Sequence, residues 1–176
     1  AAVPLWRFYP DMAVTKLEDA RYTWEHHRLS RNGLAELANR KTFNGKAIKA
    51  HINTNPFGET RLRTYEQQLR ALGEQKYLLT NAHTGQYDVF ERWGWIEAEK
   101  LSACGVDVPE DRMHESFFSN IWCLPDGTVI KAVLSPIEGV RWPYHLYYFD
   151  HDETSIFGEG LAAIMRDDPT MPNAGL

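Results

Sequence analysis

Hydrophobic positions recur at helical spacing in the first part of the chain and at alternating spacing further on. Val3, Leu5, Trp6, Phe8 and Tyr9, closed by Pro10, predict an extended segment laid against the core. Thr15-Lys16-Leu17-Glu18 has the spacing of a capping box, in which the hydroxyl and the carboxylate each take an unpaired amide of a first helical turn. It predicts a helix running to about Ser30, with Leu17, Ala20, Trp24 and His27 on one face and Tyr22, His26 and Leu29 on the other. A shorter helix follows around Leu34, Leu37 and Ala38. Phe43-Asn44-Gly45-Lys46 carries a tight-turn dipeptide and predicts a hairpin, with residues 46–52 undecided between strand and helix. Leu62, Tyr65, Leu69 and Leu72 form the clearest helical stripe, over residues 60–72, which Gly73 stops.

The pattern then changes. Residues 77–80 and 86–90 predict strands, residues 96–103 a short helix ending at Gly105, and residues 109–115 a polar loop. Residues 117–124 and 128–134 alternate on either side of Pro125-Asp126-Gly127, where each turn residue has its own reason to be there. In this hairpin Ile121 and Cys123 belong to one face and Trp122 and Leu124 to the other. Lys131 marks the more solvent-leaning face, Trp122 is covered by a helix, and Gly127 takes a positive φ. Residues 144–149 predict a further strand, 161–165 a last helix and 169–176 a polar tail. Helices first and strands later imply an α+β fold, in which N-terminal helices pack on one face of a mainly antiparallel sheet formed largely by the C-terminal half. One domain is expected over residues 1–168.

Composition fits an ordered protein, with 43% hydrophobic and 24% charged residues. Six Trp and eight Tyr are read first as core packing with polar tips at the surface. No apolar run approaches the roughly 18 residues of a membrane span, and no signal segment is visible, so a soluble, cytoplasmic protein without a membrane partner is expected. Two cysteines, Cys104 and Cys123, make neither a disulfide framework nor a four-ligand zinc site. Charge is unevenly divided. Residues 1–76 hold 13 Lys/Arg against 8 Asp/Glu, a balance of +5, and residues 77–176 hold 6 against 16, a balance of −10, which together give the net −5. Such a chain can dock a macromolecular partner, foremost a protein, or its halves can neutralise each other within the fold.

Candidate chemistry is sparse. Trp24-Glu25-His26-His27-Arg28 is the densest titratable patch, and His26 or His27 could serve as a general base near neutral pH. On a helix these neighbours would point about 100° apart and could not chelate one ion together. Asp150-His151-Asp152-Glu153 offers carboxylates and an imidazole that could hold a divalent metal, the only cofactor the chain suggests. Lys46, Lys49, Arg63, Gln67 and Arg70 make a basic row for nucleic acid or another anionic partner. Gly158-Glu159-Gly160-Leu161-Ala162-Ala163 matches a dinucleotide-binding pattern, but too little chain follows to complete the unit. The expectations are therefore a binding protein that uses its charge division, or a small hydrolase of nuclease or phosphodiesterase type built on His and Asp/Glu, or a nucleic-acid-binding protein.

Overall fold

Segments rich in aromatic and β-branched residues pair into one antiparallel sheet, seen in a computed structural model that describes residues 2–58, 85–135, 142–148 and 150–158. Its five strands are β1 (Phe8–Pro10), β2 (Tyr22–Ser30), β3 (Gln86–Glu97), β4 (Ser116–Cys123) and β5 (Val129–Leu134). They lie in chain order, each antiparallel to the next. Helices α1 (Arg31–Leu37) and α2 (Gly45–Thr54) fall between β2 and β3, and α3 (Ala98–Ala103) follows β3. The α+β class holds, but the division into a helical N-terminal half and a C-terminal sheet does not, because β1 and β2 come from the first 30 residues.

Strand parity sorts the packing. The pairs Phe8↔Glu25, Glu25↔Glu91, Glu91↔Trp122 and Trp122↔Lys131 place those residues on one face of the sheet. At one end of that face Leu34 and Leu37 of α1 and Ile48 and Ile52 of α2 bury against Tyr87, Val89, Leu124 and Ile130. At the other end Phe8, Leu17, Trp142 and Ile156 form a second cluster, flanked by Trp93, Phe118 and Tyr144. The opposite face carries Ile96, Phe117 and Ile121, packed with Ala98 and Leu101 of α3. Helices therefore cover both faces, not one.

The helix expected over residues 15–30 is a strand. Leu17–Asp19 closes only a 3-10 turn, and Tyr22–Ser30 then pairs with β1 on one edge and β3 on the other. The β3 ladder pairs all of Tyr22–Ser30 and β1 adds a second at Thr23, Trp24 and Glu25, residues that with Tyr22 largely suit a pleated surface, so tertiary pairing overrides the capping pattern. The hairpin expected at Asn44-Gly45 is instead the start of α2: the Asn44 side chain accepts from Ala47 N at 3.1 Å, and Asn44 N reaches Ile130 O at 2.6 Å. β3 runs past Phe90 to Glu97, and residues 144–148 carry no regular structure where a strand was expected.

The hairpin of β4 and β5 forms, with a register shift between Trp122 and Cys123 that sets Cys123 opposite Val129 and breaks the expected alternation there. Asp126 Oδ1 accepts from Thr128 N at 2.9 Å, and Gly127 takes φ 85°. The elements expected at 60–72, 77–80 and 161–165, and the tail, lie outside the described residues.

Candidate functional site

Between the two apolar clusters the same sheet face holds a belt of polar side chains. Glu25 on β2 stands directly across from Glu91 on β3, an arrangement in which two carboxylates repel. His27, two residues along β2 on the same face, lies between them. Its Nε2 is 2.8 Å from Glu91 Oε2 and its Nδ1 is 3.5 Å from Glu25 Oε1. Side-chain exposure is 16% for Glu25, 23% for His27 and 13% for Glu91, so the group is largely screened by protein.

Each member is fixed by a further contact. Glu91 Oε1 accepts from Trp93 Nε1 and from Asn120 Nδ2, both at 2.8 Å. Asn120 Oδ1 in turn accepts from Trp122 Nε1 at 3.1 Å and from Lys131 Nζ at 2.6 Å. The Tyr144 hydroxyl donates to Glu25 Oε2 at 2.9 Å. The His27 ring lies flat on Trp122, with centroids 4.7 Å apart and planes 4° from parallel, and Phe43 meets the same indole edge-on. Trp122 and Lys131 do share a face, but that face is the interior belt and not a solvent-leaning surface.

These contacts set the charges. Burial alone would raise the Glu91 pKa, yet hydrogen bonds from His27, Asn120 and Trp93, with the nearby imidazole, hold it below the ordinary glutamate range. Burial, and then the charges of Glu91 and Glu25, push the Tyr144 phenol far above its ordinary value, so it stays a donor. Burial lowers the Lys131 ammonium, an effect partly offset by Glu91. Glu91 is thus a carboxylate at neutral pH and only accepts, which puts the proton of their shared bond on His27 Nε2.

The two candidate histidines part company, since neighbours on a strand face opposite ways. His26 turns to the other face, 4% exposed, where its Nε2 lies 2.6 Å from Asp88 Oδ1 and its ring stacks on Phe90. His27 alone joins the belt. Of the expected metal group, Asp152 uses Oδ1 to accept from Thr154 N and Oγ1, at 2.8 and 2.7 Å, and His151 meets the Tyr148 ring edge-on. Asp150, His151 and Glu153 are exposed. Among the described residues, the donors that gather three together are those of Glu25, His27 and Glu91, all within 4.8 Å of one another. Lys46 and Lys49 lie exposed on α2, while Arg63, Gln67 and Arg70 lie outside the described residues. Cys104 and Cys123 are free thiols, and burial with the Asp126 charge pushes Cys123 up.

Sequence reasoning reached His27 but missed Glu91, Asn120, Lys131 and Tyr144. A signal for Glu91 was present: in Val89-Phe90-Glu91-Arg92-Trp93 the charges interrupt an apolar, aromatic run that continues on both sides. No protein-family model matches the chain, and a search of curated proteins finds no match. No helix among the described residues is long and apolar enough to cross a membrane.

Proposed function

We propose that the protein is a small hydrolase in which His27 is the general base. The observation that carries this reading is the half-buried imidazole held at Nε2 by Glu91 and flat against Trp122, with Nδ1 beyond hydrogen-bond range of Glu25. With the Nε2 proton committed to Glu91, the Nδ1 lone pair is the basic one. It takes a proton from a water that attacks the substrate, and the Glu91 carboxylate stabilises the imidazolium so formed. The imidazolium then returns the proton to the leaving group. Glu91 is a positioning residue, since it acts through His27, and Tyr144 keeps Glu25 turned toward the ring. Trp93 and Tyr144, which bond the two carboxylates, join the base to the second apolar cluster.

Part of the charge division is neutralised within the fold, where Arg28 of the basic half meets Asp88 of the acidic half at 3.7 Å in one sheet. The hydrolase reading is tested with a panel of p-nitrophenyl carboxylic esters and phosphodiesters. His27→Gln is expected to lower the rate on the accepted substrate by roughly 10²–10⁴-fold, the usual contribution of a positioned base. His26→Gln, on the far face, is expected to leave the rate near that of wild type. Loss of activity in both variants alike, or no hydrolysis above the His27→Gln background with any substrate, would overturn the reading.

A further inference from the structure

We propose that Glu25, His27 and Glu91 bind a divalent transition-metal ion of zinc type, and that its arrival switches the base off. The second half of this statement rests on the hydrolase reading; the binding site itself does not. One donor atom from each residue lies within 4.8 Å of the other two. Around an ion with bonds of about 2.0–2.2 Å, neighbouring donors stand roughly 3–3.5 Å apart. The contacts of 2.8 and 3.5 Å are made by opposite ring nitrogens, Nε2 to Glu91 and Nδ1 to Glu25, so an ion held on Nε2 beside Glu91 draws the Glu25 carboxylate across the ring to it.

The electrostatics favour a cation at this point. Two carboxylates oppose each other across neighbouring strands, both largely buried, with one imidazole between them. The nearby ammonium of Lys131 is bonded to Asn120 Oδ1 at 2.6 Å. A divalent ion would neutralise the pair that the imidazole only bridges. As it binds at Nε2, the ring proton passes from Nε2 to Nδ1, Nε2 and the carboxylate oxygens become ligands, and neither ring nitrogen keeps a free lone pair with which to cycle protons.

The surrounding contacts are those that orient metal ligands elsewhere: a phenol on Glu25, an indole and an amide on Glu91, and an aromatic ring under the imidazole. One nitrogen and two carboxylates suit zinc or manganese. Calcium wants six to eight oxygens, and magnesium seeks near-ideal octahedral oxygen coordination, so neither fits as well.

Calorimetric titration of the full chain with Zn²⁺, and separately with Mg²⁺, tests the site. One equivalent of Zn²⁺ is expected, with no comparable binding of Mg²⁺. Glu25→Gln and His27→Gln should each weaken Zn²⁺ at least about 100-fold, and Tyr144→Phe about 10–100-fold as an outer contact. His26→Gln and Asp152→Asn should leave it unchanged. Zn²⁺ affinity equal in His27→Gln and wild type, loss of binding in Asp152→Asn instead, or no binding by the wild type would overturn the site. If Zn²⁺ binds as described while no substrate is hydrolysed, the hydrolase reading fails and the site stands. If hydrolysis is found and one equivalent of bound Zn²⁺ leaves it running, the switch fails.

Discussion

Gly94→Ala is expected to destabilise the protein by about 3–5 kcal/mol, among the largest effects a single methyl group can have. Gly94 sits in β3 opposite Tyr22 and Ser119, at φ 148°, in a region that side chains rarely enter. A Cβ there would stand 2.3 Å from Arg21 O and 2.8 Å from Tyr22 Cα. Both are backbone atoms, at and just before the start of β2, so no rotamer relieves the clash. Arg21 O is also the acceptor for Trp95 N at 3.0 Å, and moving it away would loosen the start of the β2–β3 ladder. Urea titration measures the effect directly. A midpoint close to that of wild type would show that the two strands approach less closely than described.

Glu91→Ala is expected to cost about 3–5 kcal/mol, since each buried donor left without its acceptor costs about 1–3 kcal/mol. It leaves Trp93 Nε1, Asn120 Nδ2 and the His27 ring without their shared acceptor in a site only 13% exposed. Glu91→Gln keeps the shape and an acceptor oxygen, and should cost clearly less. On the hydrolase reading Glu91→Gln should nevertheless lower kcat with little change in KM, because the lost charge matters most when His27 carries the extra proton. Equal stability of Glu91→Ala and wild type in the same titration would show that the belt is solvated and not packed.

The hairpin of β4 and β5 and the helix α3 were legible in the sequence because one face of each is apolar and their stops are marked by Gly105 and by Pro125-Asp126-Gly127. β2 was not legible. Its inward positions Glu25 and His27 are polar because the site lies there, and its outward positions His26 and Arg28 are polar because Asp88 receives them. A strand with partners on both faces shows no alternation, so the Thr15–Glu18 spacing governed the reading. The same substitution of chemistry for apolar packing made β3 seem to end at Phe90, one residue before Glu91. For the site, His27 and Glu25 were visible as neighbours in sequence. Glu91 and Tyr144 were not, since only the strand register and the return of the chain across this face bring residues so distant in sequence onto one imidazole.

On the hydrolase reading, Glu91 clamps the His27 ring by its Nε2 proton and leaves the Nδ1 lone pair as the base. Long-range nitrogen–proton NMR correlation on the wild-type chain at neutral pH reads that proton directly. A slowly exchanging, downfield Nε2 proton is expected on His27, unlike the freely exchanging ring of exposed His145. A His27 ring with no proton at Nε2, or one that exchanges as fast as that of His145, would contradict it.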